Sequence, residues 1–408
     1  MRIAAFVLGL VLASSAFAQE EPPAAPPEDP ILAKGKYLVT AGNCISCHTR
    51  PGGEPFTGGL AFETPFGKLY STNITPDEET GIGKWTAEDL RTAMHEGKAP
   101  GGRNLFPAFP YTSFTKVSDE DVDAIYAYLR SLKPEHYVPP SNAMAFSARF
   151  PMKIWNKLFF TAGRFVEDKA QSAEWNRGAY LVEGLGHCSA CHSPRNPAMA
   201  EIKDKAFAGG AIMDKVPGND KAVRWSAVNL TSAKEGLGSW PQADLVKYLN
   251  TGLSAHAGSF GPMNEVIANS LKQMTKEDVQ AMAVYLKSLP AQESKSTPVT
   301  ADQGKAGEAV YKDRCEKCHQ SSGRGGFLTS PPLAGSLVAQ TDDPAAMINV
   351  ILYGPELSKE LPSGSWETMK PYREILNDQQ IADVANYVRS SWGNRGKPVT
   401  AGDVAKQR

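Results

Sequence analysis

The sequence predicts an all-α protein made of three tandem units on one 408-residue chain. Three observations predict it. One phrase, Cys-x-x-Cys-His, occurs as CISCH at 44–48, CSACH at 188–192 and CEKCH at 315–319, and it uses all six cysteines. A helix of one design closes each unit: SDEDVDAIYAYLRSL, TKEDVQAMAVYLKSL and NDQQIADVANYVRSS. Strand signals are weak throughout.

In chain order, residues 1–19 read as a secretory signal, with Arg2 as the basic start, Ala4 to Ala13 as the apolar core and Ala16-Phe17-Ala18 as the cleavage site. The apolar stretch is too short to span a bilayer well. A periplasmic location follows, with any membrane contact made through a partner. Residues 20–30 are a Pro- and acid-rich extended leader. The first unit covers 31–134. Residues 135–172 form a long apolar linker that should pack across the first two units. The second unit covers 173–291, a short linker 292–302, the third unit 303–394, and a polar tail 395–408. A net charge of −1 argues against a nucleic-acid protein.

Units one and two read as duplicates. GKYLVTAGNC precedes the first motif and RGAYLVEGLGHC the second; FTGG and STNIT follow the first, FAGG and AVNLT the second. Unit three is shorter and more divergent. In the closing helices Ser118, Thr275 and Asn377 are N-caps, with Asp121, Asp278 and Gln380 three residues on as capping-box partners or their short-acid variant. Val122, Ile125 and Leu129 recur as Val279, Met282 and Leu286, then as Ile381, Val384 and Val388, which makes one apolar face. The aligned Tyr128, Tyr285 and Tyr387 read as core residues.

The cysteines allow three chemistries. An exported protein can form disulfides, but redox Cys-x-x-Cys pairs usually stand once, in a thioredoxin-like βαβ setting that is missing here. Zinc takes Cys and His, but a histidine directly after the second cysteine closes the same tetrahedron poorly. Covalent haem attachment needs this spacing: two thiols on one helical turn form thioethers, and the next residue brings an imidazole under the iron. Three covalently bound haem c groups are therefore expected, on Cys44 and Cys47, Cys188 and Cys191, and Cys315 and Cys318, with His48, His192 and His319 as proximal ligands. Met263 and Met369, each in a loop before a closing helix, are the expected distal ligands. In unit one Phe109 stands where Met263 stands. Met94 reads as core, His95 as lying on the exposed side of its helix, and Asn104, Met144 and Met152 as the remaining polar or sulfur groups near that loop. The distal ligand of haem one is unknown, and a five-coordinate or unusually ligated iron of lower potential is expected. Arg50, Arg195, Trp85 and Trp240 are candidate propionate contacts, core packing being the alternative for the tryptophans. Asn73 and Asn229 lie in sequons but read as turn residues. His136, His187 and His256 read as surface or supporting residues.

The stretches TPFGKLYSTNITPDEETGIGKW, PAFPYTSFTKVSDEDVDAIYAYL, NRGAYLVEGLGHCSACHSPRN and QIADVANYVRSSWGN resemble the three-haem cytochrome c subunit of membrane-bound alcohol, fructose and gluconate dehydrogenases. The resemblance runs over about residues 31–394 and implies three tandem cytochrome c-like haem domains. It also implies a flavin- or quinone-containing dehydrogenase partner that oxidises an alcohol, aldehyde or sugar, with electrons passing to ubiquinone or another acceptor such as an oxidase or cytochrome. Two features depart from it. Pro107-Ala108-Phe109-Pro110-Tyr111 stands where alcohol dehydrogenase relatives show PAMPY, and PAFPY resembles partners of molybdenum hydroxylases. The chain also ends in the polar RGKPVTAGDVAKQR. No nucleophile–base pair or nucleotide fingerprint appears, so the chain reads as an electron-transfer subunit. The competing readings are a multihaem enzyme with an open haem one, such as a peroxidase or sulfur-compound oxidoreductase, and a free soluble shuttle.

Overall fold

The computed structural model describes residues 29–144, 149–326, 330–358, 361–362 and 367–408. The signal at 1–19 and nearly all of the leader lie outside the described residues. Each unit begins with a leading helix that crosses its closing helix. The leading helices are Pro30–Ala41, Ala173–Tyr180 and the pair Ala301–Lys305 and Glu308–Arg314. The closing helices are Asp119–Ser131, Lys276–Ser288 and Asp378–Ser390. Glycine makes each crossing possible. A Cβ on Gly35, Gly178 or Gly307 would overlap the carbonyl oxygen of Ala124, Ala281 or Asp383. These carbonyls all lie on the sixth residue after the cap of their helix, so one close approach is used three times.

The closing helices share two further devices. Ser118, Thr275 and Asn377 accept from the backbone N–H three residues on. The basic residue twelve after each cap ties down the loop before the middle helix: Arg130 donates to the Gly83 carbonyl, Lys287 to those of Leu237 and Trp240, and Arg389 to that of Thr341. Only Gln380 returns its side chain to the cap, completing a capping box. The carboxylates of Asp121 and Asp278 are drawn elsewhere, into the seam between units one and two.

That seam is reciprocal. The Tyr37 hydroxyl of unit one donates to Asp278 Oδ2 at 2.5 Å, and Tyr180 of unit two donates to Asp121 Oδ2 at 2.6 Å. The same hydroxyls accept from the backbone N–H of Thr275 and Ser118. Arg177 grips Asp278 with two hydrogen bonds of 2.8 and 2.7 Å, and Lys34 pairs with Asp121 at 2.6 Å. One hydrophobic core accordingly runs through both units, from Leu38 and Ile125 to Leu181 and Met282.

A one-residue insertion is absorbed locally. Cys44 is the seventh residue after Tyr37, but Cys188 is the eighth after Tyr180. The extra residue is taken up in a π-helical turn, Leu181–Leu185, a usual way for a helix to hold an added residue without losing register.

The strands differ from the sequence expectation. A hairpin of Ala61–Thr64 and Gly67–Tyr70 joins Ala143–Met144 in a three-stranded antiparallel sheet. A longer hairpin, Gly210–Val216 with Asn219–Ala227, turns on Pro217-Gly218, with Gly218 at φ 71°. That Pro-Gly pair is a type II turn signal. The longer hairpin leaves its own unit: Val216 and Trp225 belong to the core of unit three, and Arg224 pairs with Asp343 at 2.6 Å.

The linker crosses both units. Its helix, Arg149–Phe159, offers Asn156 to the buried Tyr111 hydroxyl at 2.6 Å, while Trp155 Nε1 donates to the Ala198 carbonyl of unit two at 2.8 Å. The polar tail folds as well. Ala401–Gln407 is a helix with a Thr400/Asp403 capping box, and Tyr353 donates to the Gln407 carbonyl. Among the described residues no helix is long and apolar enough to cross a membrane.

Candidate functional site

Each motif lies on a short helical turn. The histidine N–H bonds back to the first cysteine carbonyl, at 2.9 Å for His48, 3.0 Å for His192 and 2.9 Å for His319. The residue before the first two motifs is left-handed, Asn43 at φ 49° and His187 at φ 34°, which turns the chain from the leading helix into the motif. The six cysteines form no disulfide. Burial pushes the thiols of Cys44, Cys188 and Cys315 up to about 12 and those of Cys47 and Cys191 up to about 11. A redox dithiol needs the opposite shift. Among the described residues no three His, Cys, Asp or Glu side chains gather as a metal cluster.

The histidines share one further contact. Nδ1 meets a backbone carbonyl in every case: Thr72 at 2.7 Å for His48, Val228 at 2.7 Å for His192 and Pro331 at 3.2 Å for His319. Donation to a carbonyl puts the proton on Nδ1 and leaves Nε2 with a free lone pair. Burial lowers the pKa of all three imidazoles and so favours the neutral form that can bind a metal. The acceptors of His48 and His192 are set by matched asparagines. Asn73 and Asn229 accept from both the N–H and the hydroxyl of Thr75 and Thr231, and donate to the carbonyls of Glu135 and Gln292. Both are buried, so they are turn staples and not glycan sites.

On the distal side Met263 lies in the first turn of the helix Pro262–Asn269, not in a loop as expected, and packs on the shared core. Met369 packs on the core of unit three. Backbone geometry makes Phe109 the counterpart in unit one of Met263 in unit two: Leu105 N–H bonds to Gly97 O at 2.7 Å and Ser259 N–H bonds to Gly252 O at 2.7 Å, and each side chain follows four residues later. Met94 is core at 5% exposure. His95 is only 2% exposed, contrary to expectation, with Asp119 Oδ1 3.7 Å from its Nδ1; the chain returning through Val117 and Asp119 covers that end of the helix. Asn104 pairs with Lys98, and Met144 pairs with Gly67 in the sheet. Met152 is buried on the linker helix, one turn before Asn156.

The other candidates separate by what they touch. Arg50 donates to Thr57 Oγ1 at 2.8 Å and stacks 3.6 Å over the Tyr137 ring. Arg195 donates to the Met199 and Ala190 carbonyls at 2.7 and 2.8 Å. Trp85 is half-buried in the shared core. Trp240 is 3% exposed, and its indole N–H has no hydrogen-bond partner among the described residues. His256 stacks on Trp240 at 5.2 Å and holds Asp244 at 3.1 Å, a pairing missed in the sequence because unit one has no matching histidine. His136 is exposed beside Asp77 and Glu79.

A cytochrome c family profile matches residues 32–133 and 304–392. The gluconate 2-dehydrogenase cytochrome c subunit of Pantoea cypripedii is 38% identical over 98% of this chain and 94% of its own length. The chain belongs to the dehydrogenase cytochrome c subunits. The cytochrome c subunit of quinone alcohol dehydrogenase from Gluconobacter oxydans is 37% identical over 93% of this chain and 83% of its own. A nicotinate dehydrogenase polypeptide of Pseudomonas putida is 39% identical over 98% of this chain, which spans 34% of that protein. Covalent haem c is the cofactor and electron transport the role of this cytochrome family. The residues fit haem c: paired thiols on one turn, imidazoles with Nε2 free, and in unit two a buried indole donor waiting for an acceptor. These relatives do not favour the reading as a haem enzyme in its own right.

Proposed function

We propose that this cytochrome carries three haem c groups, one per motif, in three cytochrome c-like domains, and serves as the electron-accepting subunit of a periplasmic dehydrogenase. The observation that carries this reading is the repeated Nδ1–carbonyl contact of His48, His192 and His319, which leaves the same nitrogen free in all three. When bound, the haem iron supplies one-electron redox chemistry. The protein supplies everything around it. Cys44, Cys47, Cys188, Cys191, Cys315 and Cys318 fasten the groups, and Met263 and Met369 offer soft sulfur that favours ferrous iron and raises the potential. Trp240 donates to a propionate. Phe109 has no lone pair to offer, so the iron of unit one is five-coordinate or unusually ligated, with the lowest potential of the three.

The partner is a flavin-, quinone- or molybdenum-containing subunit that oxidises an alcohol, aldehyde or sugar. The names of the relatives from Pantoea and Gluconobacter support oxidation of a hydroxyl carbon. Electrons leave for ubiquinone or another respiratory acceptor, and the complex sits at the outer face of the inner membrane. Intact mass of the exported full-length protein tests the count. The expected mass is the processed chain plus three haems, and the bare chain mass refutes the proposal. The Phe109→Met variant tests the ligation: a new Met–iron charge-transfer band with loss of a high-spin signal is expected, whereas a wild type already showing three such bands refutes an open haem one.

A further inference from the structure

The reciprocal seam brings the first two motifs together. Asn269, from the distal helix of unit two, donates to Ser46 inside the first motif at 2.8 Å. On the opposite side of the seam the contact is aromatic. Phe109 meets Phe114 edge-on, with ring centroids 5.3 Å apart, and Phe114 meets His187 at 5.6 Å and 79°. Phe109 takes the place in unit one that Met263 takes in unit two, and His187 is bonded directly to Cys188, which would hold the second haem. Phe114 is 5% exposed.

We propose that Phe109, Phe114 and His187 form a packed aromatic bridge that couples the distal face of haem one to the thioether edge of haem two. The proposal rests on the haem reading above. Duplication alone does not require these rings. At the matched places on the other side of the seam stand Leu271 and Asn43: Leu271, like Phe114, lies four residues before its closing-helix cap and its carbonyl accepts from the backbone N–H three residues on, and Asn43 is left-handed like His187. The seam therefore closes without aromatics where they are absent, and the rings concentrate on one path. A continuous run of van der Waals contacts carries tunnelling amplitude better than voids or water. A single electron crosses, with no bond made or broken, the donor iron being oxidised as the acceptor iron is reduced.

The test uses the full-length three-haem protein and two variants, His187→Asn and the double variant Phe114→Leu/His187→Asn. Asparagine copies position 43 and tolerates the left-handed backbone. Haem content by mass is checked first, because a wild type lacking haem on either of the first two motifs overturns the haem reading and the bridge with it. After flash reduction by a photoexcited flavin, first-order equilibration between haems is followed by absorption. One concentration-independent phase should slow severalfold in the double variant and less in His187→Asn, with the other phases and the three midpoint potentials unchanged. Wild-type rates in the double variant overturn the bridge. So does uniform slowing of every phase with shifted potentials, which marks general packing damage. If the double variant fails to retain haem, His187→Asn decides alone.

Discussion

At the level of single residues, chemistry is set by what each side chain is denied. His48, His192 and His319 each lose Nδ1 to a carbonyl and keep only Nε2 for the metal. Trp240 is denied any acceptor among the described residues. On the proposed ligation, Met263→Leu removes a soft sulfur ligand from one site. The potential of one haem should fall, and the Met–iron charge-transfer band should weaken without vanishing, because Met369 remains; spectroelectrochemical titration reads both. Asp278 gives a pH prediction. Burial alone raises its pKa, but hydrogen bonds from Arg177 and Tyr37 outweigh burial and hold the carboxyl below its ordinary value. A depressed folded pKa gives stability that is fully present above the unfolded value, roughly 3.9, and is lost as pH falls through the folded value. Asp278→Asn should cost about 1–3 kcal/mol at neutral pH. Its deficit against wild type should shrink in acid below about pH 4, measured as urea midpoints across pH.

Single elements show how a repeat tolerates change. The helix crossing is rigid because a backbone carbonyl, not a flexible side chain, faces each of Gly35, Gly178 and Gly307. Gly178→Ala must push the leading helix off the closing helix. It should destabilise the holoprotein by about 1–3 kcal/mol in urea unfolding, since overpacking cannot be relieved by a rotamer change. Ala in place of Gly163, where a Cβ meets nothing, is the control and should leave the midpoint unmoved. The leading helix of unit two, by contrast, accepts an inserted residue because a π turn passes the register error to its own hydrogen bonds and leaves both Tyr180 and Cys188 in place. Insertion and crossing lie within one helix, yet only the crossing is intolerant.

Taken whole, the molecule is partitioned unevenly. Units one and two share one core and a doubled tyrosine–aspartate seam, while unit three has its own core, reached by the long hairpin of unit two. Residues 291–298 between them alternate between exposed and half-buried, none of them buried, and Lys295 is exposed. Limited trypsin digestion should therefore cut first near Lys295. Covalent haem survives denaturing electrophoresis, so haem staining should show two fragments, the larger with twice the haem of the smaller. Cleavage that first separates unit one from unit two would contradict a shared core. Surface linkers are where nicking concentrates.

The residues proposed to carry the chemistry could be picked out because covalent haem attachment demands a fixed local spacing, and local spacing is what a sequence displays. The motif cysteines, the capping residues and the duplicate organisation needed no long-range information. The Thr400/Asp403 cap was legible too, although the tail was read only as polar. Hidden from the sequence were contacts between distant segments: the exchange of Tyr37 and Tyr180 across the seam, the diversion of Asp121 and Asp278 from their caps, the burial of His95, and the reach of a hairpin into the neighbouring core. Each pairs groups far apart along the chain, and whether a tyrosine faces its own unit or the next depends on how two finished helices dock. Residue spacing by itself determined which cysteines and histidines are proposed to fasten haem. Only the packing of units against each other decided which sites lie side by side, because burial and charge pairing between units are properties of surfaces that exist only after each unit has folded.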